Sequence, residues 1–105
     1  MTISFNNYAK KIESREVGGI KQDFFRWQIF VDASNDELEN IDSVDYELHP
    51  SITNPYRPVA DKTSKFALKF NSWGSFGVRM TVILKDGTKK QYRYQLNENK
   101  PFPGE

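Results

Sequence analysis

The 105-residue chain holds one histidine, His49, and it stands two residues from Ser51. A serine beside a histidine invites a hydrolytic reading, in which the imidazole takes the proton of an attacking hydroxyl. That chemistry also needs a third group to orient the base and a set of donors for the oxyanion. No Gly-x-Ser-x-Gly turn is present. A simpler role fits the spacing: His49 hydrogen-bonds Ser51 and fixes the loop. No catalytic residue is assigned, and the chain reads as a non-enzyme. Metal binding has less support. His49 is the sole imidazole and there is no cysteine. Asp45 and Glu47 alternate along a strand, as a solvated face does. No metal and no cofactor is expected.

Recognition chemistry is the better reading. Trp73 is followed by Gly74 and flanked by Ser72 and Ser75. An aromatic ring in a loop of small residues either plugs the core or faces a ligand. The two segments, His49-Pro50-Ser51-Ile52 and Ser72-Trp73-Gly74-Ser75, bound the stretch from Leu48 to Phe76. A short apolar strand, Phe66 to Phe70, joins them. Folding is expected to bring the two loops together with a binding site where they meet. Phe76 starts a strand on its apolar face and reads as core. Arg57 reads as a tie between its loop and the body of the fold.

The elements that must hold these loops are strands. Phe25, Trp27, Ile29 and Val31 share one face of a strand from Phe24 to Ala33, with Arg26, Gln28, Phe30 and Asp32 on the other. Ile41 to His49 alternates in the same way, with Val44, Tyr46 and Leu48 inward, and Pro50 ends it. Residues 51–64 hold Pro55 and Pro58 and read as an ordered loop crossing one end of the fold. Phe76 to Lys85 and Lys89 to Leu96 form a hairpin. A two-residue loop, Asp86-Gly87, would set Met80 against Arg93. A three-residue loop, Lys85-Asp86-Gly87, sets Met80 against Tyr92 and Val78 against Tyr94. Since a one-residue slip inverts the whole face, the second register is expected.

The flanks are less regular. Ile3 to Val17 reads as a long edge strand, with a short helix as the alternative. Gly18-Gly19 turns the chain. Asp32 to Asn40 suits a loop or one short turn of helix. Asn97 to Glu105 reads as a loosely held tail. The sum is an all-β, immunoglobulin-like antiparallel β-sandwich of about seven strands, forming a single domain over residues 1–105.

Composition narrows the partners. Net charge is +1, and only Lys10-Lys11 and Lys89-Lys90 are adjacent basic pairs. That is not the one-sided basic field of a nucleic-acid binder. No stretch approaches a membrane span, and the N-terminal residues show no signal-peptide apolar region. A monomeric, cytoplasmic chain is expected, with neither nucleic acid nor membrane as partner.

Over residues 24–96 the chain resembles the YEATS domain. The matching residues are Val44-Asp45-Tyr46-Glu47-Leu48-His49-Pro50-Ser51, then Asn54-Pro55-Tyr56-Arg57-Pro58-Val59, then Phe66, then Trp73-Gly74-Ser75-Phe76, and finally Tyr94-Gln95-Leu96. Small size makes it look like a prokaryotic YEATS-like domain. The resemblance implies an immunoglobulin-type sandwich and, in eukaryotic members, a reader of acetylated or crotonylated lysine. There the acyl amide slides between two aromatic rings, held by a hydroxyl and a backbone N–H.

On this resemblance the ligand-binding residues are His49, Ser51, Ile52, Trp73 and Gly74. Ile52 stands where such readers carry Phe or Tyr, and Ser72 where Gly is usual. The expected pocket has one aromatic wall, Trp73, and one aliphatic wall. Loss of an aromatic pair weakens a reader by roughly tenfold. Two functions follow: a module binding an acylated lysine or an extended peptide between the loops, or a protein–protein interaction or assembly module whose pocket is degenerate and which pairs through a sheet edge.

Overall fold

The computed structural model describes residues 3–104. Two antiparallel sheets pack face to face. One holds three strands in the order β1-β2-β5 and the other four in the order β4-β3-β6-β7. The strands are β1 (Ser4–Val17), β2 (Ile20–Asp32), β3 (Ile41–Glu47), β4 (Tyr56–Val59), β5 (Leu68–Trp73), β6 (Gly77–Leu84) and β7 (Lys89–Gln95). One short helix, α1 (Asn35–Glu39), joins β2 to β3, capped by Ser34 and Glu37 in a reciprocal capping box.

The alternating residues meet between the sheets. Trp27, Ile29 and Val31 of β2 are fully buried against Val44 and Tyr46 of β3 and Val78, Met80 and Val82 of β6. The β6–β7 register is the one the apolar faces require: Met80 opposes Tyr92 and Val78 opposes Tyr94. Gly87 sits in the turn at φ 89°, a conformation that costs a residue without Cβ nothing. Gly18 and Gly19, at φ 60° and 81°, make the two-residue turn that joins β1 to β2.

Four expectations need correction. Residues 51–64 are not all loop, because β4 pairs with β3 from Tyr56 to Val59. Pro58 is tolerated there because β4 is an edge strand, where a missing N–H breaks no inner ladder. The strand expected over Phe66–Phe70 instead runs from Leu68 to Trp73. Phe66 reaches the core from outside it, with Lys65 and Phe66 both left-handed at φ 60° and 55°. A bulky side chain adopts that backbone at a cost. Here the Phe66 N–H donates to Asp61 O, and its carbonyl accepts the Tyr46 hydroxyl at 2.6 Å.

The shift also moves Ser72 and Trp73 out of the loop and onto the end of β5. Finally, the described part of the tail is not loose. Ala9 N–H donates to Lys100 O at 2.7 Å, buried Asn7 bonds Asn97 through both its amide nitrogen and its oxygen, and Phe102 packs on Tyr8. Tyr8 in turn covers Phe30 on the outer side of the sheet, which explains a buried phenylalanine among the polar residues of that face.

Candidate functional site

The segment after β3 is a turn closed by Ile52 N–H donating to His49 O at 2.9 Å. His49 Nδ1 accepts the Ser51 backbone N–H at 3.1 Å and lies 2.8 Å from Ser51 Oγ. Because Nδ1 is already an acceptor, it carries no proton, so the hydroxyl is the donor in the second contact. The serine lone pairs are then left to accept from elsewhere. Two residues on, the chain turns through Asn54 at φ 53°, held by Arg57. Arg57 Nε donates to Asn54 O at 2.7 Å and Nη2 to Thr53 O at 2.9 Å.

The second segment arrives on β5. Phe24 of β2 stands directly opposite Trp73, and the two rings lie 4.7 Å apart. Gly74, at φ 71°, ends the strand, and its N–H donates to Asp23 O at 2.9 Å. In an antiparallel ladder successive N–H groups point to opposite sides. The Trp73 N–H therefore faces away from β2, toward the open edge of β5. Ser72 points inward, accepts Trp27 Nε1–H at 2.8 Å and donates to Gly74 O at 3.1 Å. That double bond satisfies a buried indole and is the physical reason for a serine at this position.

Between the segments is a cavity of about 340 Å3, lined by Phe24, Ser51, Ile52, Thr53, Arg57, Asn71, Ser72 and Trp73. Of the five residues expected to form a site, Ser51, Ile52 and Trp73 line it. His49 lies behind Ser51, its ring 5.8 Å from Phe76. Gly74 lines an adjoining hollow with Lys21, Asp23 and Glu98 on the other side of Trp73. Its N–H is consumed by Asp23 O, whereas the Trp73 N–H points to the open edge of β5.

Sequence reasoning missed Phe24, which reaches the cavity only through its pairing with Trp73. It also missed Arg15, whose guanidinium lies 4.3 Å from the Trp73 ring centre. Arg15 reaches across β2 from the far end of β1, a contact worth ~0.5–1 kcal/mol at an exposed site.

Residues 25–97 match the prokaryotic YEATS domain family. The chain belongs to that family. Its sandwich is similar to solved YEATS structures from the yeast protein Yaf9. One, a Yaf9 YEATS domain recognising an H3K122suc peptide, superposes with a TM-score of 0.71 at 24% identity, covering 92% of this chain and 72% of that one. Another, the Yaf9 YEATS domain bound to H3K27ac, gives a TM-score of 0.70 at 24% identity, covering 90% and 70%. The sequence has no match among curated proteins. At this identity the Yaf9 structures establish the YEATS fold.

Proposed function

We propose that this YEATS domain is a non-catalytic binding module that takes an acylated lysine, carried on an extended peptide, into the cavity between Ser51 and Trp73. One observation carries the reading. An acceptor, the Ser51 hydroxyl held by His49, and a donor, the Trp73 N–H at an open strand edge, border the same cavity. A secondary amide presents the complementary pair: its N–H meets Ser51 and its carbonyl meets Trp73. Trp73, Phe24 and Ile52 supply apolar walls for the acyl chain. The Yaf9 domains bound to acylated H3 peptides support this class of ligand.

A hydrolase is disfavoured by the same geometry. Among the described residues His49 bonds Ser51 and has no carboxylate to orient it. Tryptophan fluorescence tests the reading. Acetyl-lysine and crotonyl-lysine peptides are expected to give a saturable change that Trp73→Ala abolishes while the fold persists. No change at millimolar peptide sinks it and leaves the second reading, an assembly module pairing through an open edge such as β7.

A further inference from the structure

The outer face of the β1-β2-β5 sheet is continuous with the cavity. Strand register sets its side chains in rows. Glu13, Phe24 and Trp73 form one row, and Arg15 and Gln22 the row beyond it. On the other side come Arg26 opposite Asn71, then Gln28 opposite Lys69. Asn71, Phe24 and Trp73 also line the cavity, and Arg57 is its one charged lining residue. Four cations, Arg15, Arg26, Arg57 and Lys69, thus border or line one site.

Their counter-ions are elsewhere. Among the described residues none of these four cations makes an ion pair; the salt bridges run from Glu39 to Lys62 and Lys85. Of the carboxylates on the face, Glu13 stands in the Trp73 row and Asp32 lies at the far end of β2. Four of the chain's fourteen acidic residues, Asp36, Glu37, Glu39 and Asp42, stand close in sequence at α1. The Lys62–Glu39 bridge and the bond from Lys85 N–H to Asn40 O bring Asp61 and Asp86 to the same end. Among the described residues, Arg15, Arg26 and Lys69 thus share the outer face of β1-β2-β5 with two carboxylates, Glu13 and Asp32, and Arg57 adds a further cation at the cavity.

We infer that the segment delivering the ligand is an acidic polypeptide, laid over the outer face of β1-β2-β5 so that its carboxylates meet Arg15, Arg26 and Lys69 while the acylated lysine enters the cavity. This rests on the acyl-lysine reading. The charge arrangement repels a basic tail and steers an acidic one. It also compensates for the aliphatic wall at Ile52, because contacts outside the cavity add to those within it.

The test compares one acetyl-lysine in two peptides of equal length, one with Asp and Glu flanks and one with Lys and Arg flanks. The acidic peptide should bind about tenfold more tightly at low salt, from several exposed pairs acting together. That advantage should shrink as salt approaches 1 M, where screening extends to about 3 Å. Arg26→Glu with Lys69→Glu, neither of which lines the cavity, should remove or invert the preference without loss of fold. Equal affinities, a preference for the basic peptide, or equal binding of the acidic peptide without its acetyl group would overturn the inference. If neither acetylated peptide binds, the acyl-lysine reading fails and this inference falls with it. If both bind alike, the reading stands and only the acidic partner is lost.

Discussion

His49 Nδ1 lies 2.8 Å from Ser51 Oγ and 3.1 Å from the Ser51 backbone nitrogen, so one imidazole atom fixes both the turn and the direction of its hydroxyl. The chain's only histidine is used to aim an acceptor. His49→Ala leaves that hydroxyl free to rotate. Its loss should weaken acyl-lysine peptide binding by about three- to tenfold, the worth of one hydrogen bond. Both residues are exposed, so thermal unfolding should change little. Calorimetric titration beside a melting curve separates the two effects.

Ile52 is half-buried and packs on the edge of the core while lining the cavity. Ile52→Phe supplies a second aromatic wall facing Trp73. Peptide affinity should rise by up to about tenfold, the worth of an aromatic pair. Unchanged affinity would show that the ligand does not pass between residues 52 and 73.

Ser72→Ala removes the acceptor of the buried Trp27 indole N–H and one donor to Gly74 O. An orphaned buried donor costs about 1–3 kcal/mol. At roughly 4–8 °C per kcal/mol for a domain of this size, the melting temperature should fall by at least about 4 °C. The change should appear in near-ultraviolet circular dichroism, since Trp27 loses its anchor.

Asp61 sets the backbone ahead of Phe66. Its side chain accepts from Thr63, and hydrogen bonds from Thr63 and Ser64 hold its carboxyl below the ordinary carboxylate range. A carboxylate whose folded pKa is depressed contributes stability above its unfolded pKa and loses it as pH falls through the folded value. Asp61→Asn should therefore be less stable than the parent near neutral pH. The gap should close as pH drops below about 4, and paired melting curves across that range measure it.

Local alternation made much of the fold legible. The β6–β7 register follows from Met80 and Val78 needing Tyr92 and Tyr94 as partners, and the structure keeps it. What was hidden depended on backbone conformation or on distant pairing. Phe66 looks like a strand residue because it is apolar and alternates with Leu68 and Phe70. Its burial comes instead through a left-handed backbone that residue type does not announce. Pro55 and Pro58 argued against a strand, yet β4 lies at an edge where proline is harmless.

The same division holds at the cavity. Ser51, Ile52 and Trp73 lie in the two segments that the resemblance to the YEATS domain singled out. Phe24 and Arg15 were not legible, because their place beside Trp73 requires the β2–β5 pairing. For Arg15 it also requires the register shift between Lys11 and Glu13, which changes which residues of β1 face outward.

The most direct measurement is the backbone amide resonance of Trp73 during titration with an acetyl-lysine peptide. A donor to the acyl carbonyl should shift downfield and saturate together with Ser51 and Ile52. Gly74, whose N–H is held by Asp23 O, should move less. A folded protein whose Trp73 amide stays still at millimolar peptide, or a shift confined to residues away from the cavity, would contradict the assignment of this cavity as the binding site.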